Sequence, residues 1–534
     1  MRDLLCTAAA LFALSGPSYA QSIDVGQLGS AEAYEPGTLT PADGALGNNL
    51  WASTPADVAE ELILDLPQNF QNPIARELTR RALLSPGVPP MQDGDGSFSG
   101  NRLGAIIKLS ELSAAQDIAQ RSPGLASSQE LRADLALLSG DISSACTQSD
   151  SILEKRAEIY WMKLRAFCHV ERGETAAAEL TLDLIRSSGD NDKGYTALMR
   201  SLTGVPGRPD VRAVNGSPLS IAMMASADIP WPAGQQPPAS AAQTAFNAVK
   251  NNDERFKALL VAAPAMSDGQ IRQILDSLGA PESGLASDLA GGVMETQAPI
   301  TLETAMSDKG GAGFAQLYHL SRSGSQEEQL PALIELLSRA DKANQFARFA
   351  KLVEPQLQGI YYPDLTAGQI PMIAKTAALR GDIIALQQLH GLMDDNTAHQ
   401  DRIALAADAI GNGFFGGALG TDIETRLREK NSRALRDALI AYGLGANLSD
   451  TAAHKIFSQR NNLGRLSGKG LLLQSAARRR AQAETALRAA LMLESGALSD
   501  LDMFLIIDSL YNAGLNEQAG KLAALDFLEP LSGQ

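Results

Sequence analysis

The chain has 534 residues, a net charge of −16, 45% apolar residues and only 5% aromatic residues. That much apolar surface excludes wholesale disorder, and the acidic balance excludes a general nucleic-acid binder, whose affinity rests on neutralised phosphates. Alanine and leucine supply most of the apolar surface, which suits close helix packing better than a β-sandwich of β-branched and aromatic side chains.

Residues 1–20 open with Arg2, run through an apolar stretch from Leu4 to Leu14 and end in Ser18-Tyr19-Ala20. A short apolar run before a small-x-small site predicts a Sec-type signal peptide cleaved after Ala20, and hence a periplasmic chain beginning near Gln21. The run is too brief to span a bilayer, and Gly16-Pro17 breaks the competing reading, a buried N-terminal helix. No later stretch approaches about 18 uninterrupted apolar residues, so no transmembrane anchor is expected.

Residues 21–53 are rich in Gly, Pro, Ser and Asn without periodicity, which predicts a flexible lead-in. Thr54-Pro55 and Asp57 start a helix running to about Leu66, and Asn72-Pro73 starts another carrying Ile74, Leu78 and Leu83 toward Pro86. Asp93-Gly94-Asp95-Gly96 looks like the start of a calcium loop. Gly104 stands where its bidentate carboxylate belongs, so a surface turn is expected.

Ser127 and Glu130 make a capping box before Leu131, Leu135 and Leu138, and this helix ends at Gly140 with Ala145 five residues on. The next helix carries Trp161, Leu164 and Phe167 to a corner at Gly173-Glu174, after which Ala176, Ala177, Ala178, Leu180 and Leu184 resume the period. An alanine at that offset lets the second helix cross the first closely. The corner recurs at Gly381-Asp382 and at Gly514 with Ala519. The predicted fold is therefore all-α, a solenoid of antiparallel helical hairpins in two arrays, residues 54–204 and 241–534, joined by a Pro/Gly-rich linker over 205–240.

The interval from Gly140 to Gly173 is close to the period of tetratricopeptide repeats, and the hairpin resembles that family in its order of helix, corner and small residue. His169 stands where the family carries tyrosine, and no proline closes the unit. Through Trp161, Phe167-Cys168 and Gly173-Glu174 the chain resembles exported α-helical repeat proteins of proteobacteria, and it is also similar to the superhelical arm of soluble lytic transglycosylases. The arm alone is similar: the lysozyme-like catalytic domain has no counterpart, so the resemblance implies no activity.

Cys146 and Cys168 remain after signal removal, and in an oxidising compartment they are either a disulfide joining neighbouring hairpins or two buried free thiols. Gly411-Asn412-Gly413-Phe414-Phe415-Gly416 has the spacing of a dinucleotide loop, but a helical pattern precedes it instead of a strand. The stretch from Gly464 to Gly470 is one residue short of a phosphate loop and ends in Gly470 where Ser or Thr should hold magnesium. The five histidines are scattered without metal-ligand spacing, and the adjacent carboxylates Asp394-Asp395 and Glu327-Glu328 read as solvated surface. No catalytic, cofactor or metal site is expected.

One segment departs from the acidic balance. Between His454 and Arg488 the cations Lys455, Arg460, Arg465, Lys469, Arg478, Arg479, Arg480 and Arg488 face Glu484 alone. They form either a patch for an anionic partner or a set paired with acidic neighbouring repeats. The functional expectation is a non-enzymatic periplasmic scaffold for another envelope protein. The alternative is a peptidoglycan-binding or wall-remodelling accessory related to the non-catalytic transglycosylase arm.

Overall fold

The computed structural model describes residues 34–67, 69–91, 97–122, 129–205, 214–229, 252–263, 266, 268–279, 301–362, 365–392, 398–411, 423–425, 427, 433–458, 467–496 and 498–531. From Glu35 onward the chain forms one compact unit. Among the described residues the architecture is all-helical, with no strand and two isolated bridges, Glu35 to Gly87 and Pro55 to Met91. The signal-peptide and calcium-loop stretches, and most of the proposed linker, lie outside the described residues. The apolar interruption in that linker is the Pro218–Ser226 helix, which packs on the Gln129–Leu138 and Lys193–Leu202 helices.

The helices start and stop where local chemistry satisfies their ends. Asn72 caps the Pro73–Leu84 helix, its side chain accepting from the backbone N–H groups of Ile74 at 2.9 Å and Ala75 at 3.2 Å. The Ile159–Glu171 helix stops at Gly173, whose φ of +75° is a conformation that glycine adopts without a Cβ clash. Gly173 then donates to Val170 O at 2.9 Å and Glu174 to His169 O at 2.8 Å, closing two of the helix's last carbonyls.

The same pair of bonds closes the corners at Gly140, Gly381 and Gly514, and also those at Ser110, Asn344 and Arg480, which hold positive φ without being glycine. Five residues after Ser110, Gly140, Gly173 and Gly514 stand Ala115, Ala145, Ala178 and Ala519, all fully buried. Their small side chains let the next helix approach closely.

Two hydrophobic clusters meet on the Gln129–Leu138 helix, which gives Leu135 to one and Ala133, Ala136 and Leu137 to the other. The smaller cluster runs from Ala133 to Ile229 and is built from neighbouring helices. The larger gathers residues from Leu39 to Leu135 and from Leu259 to Leu531. It is closed by the Pro73–Leu84 helix packing on the Gln482–Glu494 helix, so segments near opposite ends of the sequence share one core.

This closure corrects the expectation of a flexible lead for its described part, residues 35–53. Leu39, Leu46, Leu50 and Trp51 are buried, and Trp51 meets Phe98 edge-on with ring centroids 5.1 Å apart. Gly47 N donates to Gln482 Oε1 at 3.0 Å, and Ala483 N to Leu50 O at 3.2 Å. Four apolar anchors spaced through a Gly- and Pro-rich stretch hold it without any helical period, because the surface they fill is already formed by other helices.

Candidate functional site

The most constrained surface belongs to the smaller cluster. Trp161, Leu164, Ala166 and Phe167 of the Ile159–Glu171 helix are fully buried, and Cys168 on it is joined by a disulfide to Cys146 on the Ile142–Ser151 helix, with 5.6 Å between the Cα atoms. A polar frame surrounds this pair. Tyr160 Oη donates to Asp134 Oδ1 at 2.6 Å, and burial pushes the Asp134 carboxyl up to about 6 although the Tyr160 bond and nearby Glu130 pull in opposite directions. Lys163 lies 2.9 Å from both Asp190 and Asp192, and Tyr195 Oη donates to Lys163 O at 2.9 Å.

On this frame rests the Thr175–Ser187 helix, and here the structure departs from the periodicity. Ala178 and Ile185 form the buried side. Leu180 and Leu184, which continue the apolar period, are 65% and 52% exposed. With exposed Ala176 they occupy positions i, i+4 and i+8 of one face, a continuous apolar ridge flanked by exposed Glu179 and Asp183. The small, fully buried Ala178 lets the helix pack closely by the side it shares with Ile185, which leaves the two leucines facing outward.

The basic segment divides when its residues are placed. Arg460 and Arg465 lie outside the described residues, and Lys455 donates to Leu427 O. Arg479 and Arg488 both grip the buried Glu484 carboxylate, at 2.9 Å each, and Arg479 Nη1 also donates to Ser53 O at 2.8 Å. These two are therefore structural, and Arg479 fastens the N-terminal segment. Lys469, Arg478 and Arg480 stay exposed. Arg478 and Arg480 line a recess of about 380 Å3 with Asp508 and Asn512, and Leu471 and Leu472, both about half exposed, stand on the same Gly468–Arg478 helix.

The start of that helix also disposes of the phosphate-loop resemblance for its described part. Ser467 Oγ accepts from Gly470 N at 3.0 Å, and a Cβ on Gly470 would lie 2.7 Å from Leu505 Cδ1, so this turn is packed against the neighbouring helix. Gly411 ends the Ala398–Gly411 helix, and the rest of the dinucleotide-like stretch lies outside the described residues. Among the described residues no three His, Cys, Asp or Glu side chains are grouped to hold a metal ion, and no helix is long and apolar enough to cross a membrane.

Sequence reasoning missed a cleft lined by Arg76, Arg80 and Glu111 together with Arg348, Lys351 and Lys375. No local signal marks it, because its two walls are more than 200 residues apart in sequence. Comparison of the chain with protein-family models, with curated proteins and with solved structures finds no match.

Proposed function

We propose that this chain is an exported helical-repeat scaffold, a stack of antiparallel helix pairs in the tetratricopeptide manner, that holds another envelope protein without catalysing a reaction. The spacing of the corners supports the repeat reading. Ser110, Gly140 and Gly173 are 30 and 33 residues apart, and Gly445, Arg480 and Gly514 are 35 and 34 apart. Units that carry serine or arginine in place of glycine keep the same closing bonds.

The observation that carries the scaffold reading is the exposed Leu180 and Leu184 ridge on a helix whose support is fixed by a disulfide. An apolar ridge with acidic side chains along one edge suits a partner segment with an apolar stripe and a basic edge. The mature protein and a Leu180→Glu, Leu184→Glu variant are each used to capture periplasmic proteins. A stoichiometric partner retained by the first and lost by the second is the expected result. Equal recovery by both, or recovery of none, overturns the reading.

A second reading, a peptidoglycan-binding accessory, draws support from exposed Lys469, Arg478 and Arg480 beside half-exposed Leu471 and Leu472. The carboxylates of wall peptides suit such cations. Pelleting with purified peptidoglycan, abolished by Arg478→Gln with Arg480→Gln, separates this reading from the first.

A further inference from the structure

A cleft of about 860 Å3 opens where the Pro73–Leu84 helix faces the Phe346–Leu352 helix, within the core that joins the two ends of the chain. Its size is that of a small-molecule site. Five cationic side chains line it: Arg76 and Arg80, one helical turn apart, then Arg348, Lys351 and Lys375.

The carboxylates among the lining do not balance these charges. Glu111 lies 2.8 Å from Arg80, Asp268 2.6 Å from Arg348 and Asp341 2.5 Å from Lys375. The fourth, Glu77, is engaged by residues outside the lining, accepting from Gln518 Nε2 at 2.8 Å with Lys521 at 3.9 Å. The lining thus carries a positive excess in a partly desolvated space. Burial pulls the Arg76 guanidinium below its ordinary range; Glu111 opposes this, and the nearby charges of Arg80 and Arg348 add to it.

Two buried donors point to what balances the site. Ser110 Oγ, on the corner that frames the cleft, has no hydrogen-bond partner. Arg348 Nη1 lies 2.6 Å from Asp268 Oδ1 as an ion pair and is buried without a hydrogen bond. The rest of the Arg348 guanidinium is fixed, Nε donating to Ala263 O at 2.9 Å and Nη2 to Met266 O at 2.8 Å. A preset guanidinium and a hydroxyl donor in a cationic cleft match an oxyanion. The lining also includes apolar Met266, Phe346 and Leu525.

We propose that this cleft binds a small amphiphilic organic anion, whose carboxylate or phosphate oxygens accept from Ser110 Oγ and Arg348 Nη1 within the cationic lining, while its apolar body lies on Met266, Phe346 and Leu525. This site is independent of the scaffold reading, since neither the leucine ridge nor the exposed arginines take part in it.

Isothermal titration of the mature protein at low salt tests it with octanoate, octyl phosphate, octanol and inorganic phosphate. One of the two amphiphilic anions should bind saturably at one site, about tenfold tighter than octanol, as one charge-assisted hydrogen bond gives. The tighter of the two identifies the head group. Lys351→Gln, at an exposed position, and Ser110→Gly, at a backbone conformation glycine favours, should each weaken that anion about three- to tenfold with no fall in Tm. Octanol binding as tightly as the tighter anion, inorganic phosphate binding as tightly as octyl phosphate, no saturation by either anion at about 10 mM, or unchanged affinity in both variants overturns the proposal.

Discussion

The two hydrophobic clusters solve the same burial problem in different ways. In the larger one, hydrogen bonds such as Gly47 to Gln482 and Asn72 to Glu494 tie together residues more than 400 apart in sequence. In the smaller one successive helices pack in turn, the Pro218–Ser226 helix returns onto the Gln129–Leu138 helix, and a disulfide spans 22 residues. Long-range closure lets a helix from one end of the sequence cover another from the far end, as the Pro73–Leu84 and Gln482–Glu494 helices do. The smaller cluster closes over a shorter span, the Pro218–Ser226 helix on the Gln129–Leu138 helix, and leaves the outer side of its Thr175–Ser187 helix uncovered. It leaves Leu180 and Leu184 in solvent while holding their helix in place.

The contrast breaks most visibly at Trp51. Trp51→Ala removes a side chain only 1% exposed and its edge contact with Phe98, and should cost about 3–5 kcal/mol. Denaturant unfolding gives the magnitude, and hydrogen exchange should show lost protection at Gln482–Glu494 while Ile159–Glu171 keeps its own. Equal loss in both regions would mean that the clusters are energetically one. The converse experiment is Cys146→Ser with Cys168→Ser, which should cost about 2–4 kcal/mol through the freed unfolded chain. Its effect should be confined to the helices around Ala133 to Ile229.

Asp134 sharpens the comparison by pH. Its carboxyl, pushed up to about 6 by burial, binds a proton more tightly folded than unfolded, where its pKa is near 3.8. The stability it contributes is therefore complete below about pH 4 and is lost as pH rises through about 6. Asp134→Asn keeps an acceptor for Tyr160 and should flatten that slope, gaining about 1 kcal/mol at pH 7 and nothing at pH 4; the figure is discounted because the side chain is only partly buried. Urea midpoints of both proteins across that range decide it, and a slope that survives the substitution assigns the titration elsewhere.

How much of this was legible follows the range of the interactions. The Pro73–Leu84 helix was readable because Asn72 and Pro73 act on residues next to them. Corners at Gly140, Gly173, Gly381 and Gly514 were readable because glycine announces a positive φ. Those at Ser110, Asn344 and Arg480 were not, since each holds the same conformation with a residue that carries no such signal. The buried lead around Trp51 and the cleft at Arg76 and Arg348 escaped for a different reason: their partners lie hundreds of residues away, and composition says nothing about who meets whom. Arg479 and Arg488 stood between patch and paired set until the structure placed both on the Glu484 carboxylate.

Leu180 and Leu184 mark the limit of periodicity most clearly, and they give the smallest expected effect on stability. A 3.6-residue period reports that one side of a helix is apolar; it does not report whether the chain itself covers that side. The Leu180→Ser, Leu184→Ser variant should leave stability within about 0.5 kcal/mol, because side chains already half or more in solvent lose little burial on replacement. A core role would instead cost several kcal/mol for the pair. The same two changes should lower the protein's retention on apolar resin and abolish partner capture. If the variant unfolds markedly earlier, the ridge is an internal packing surface after all.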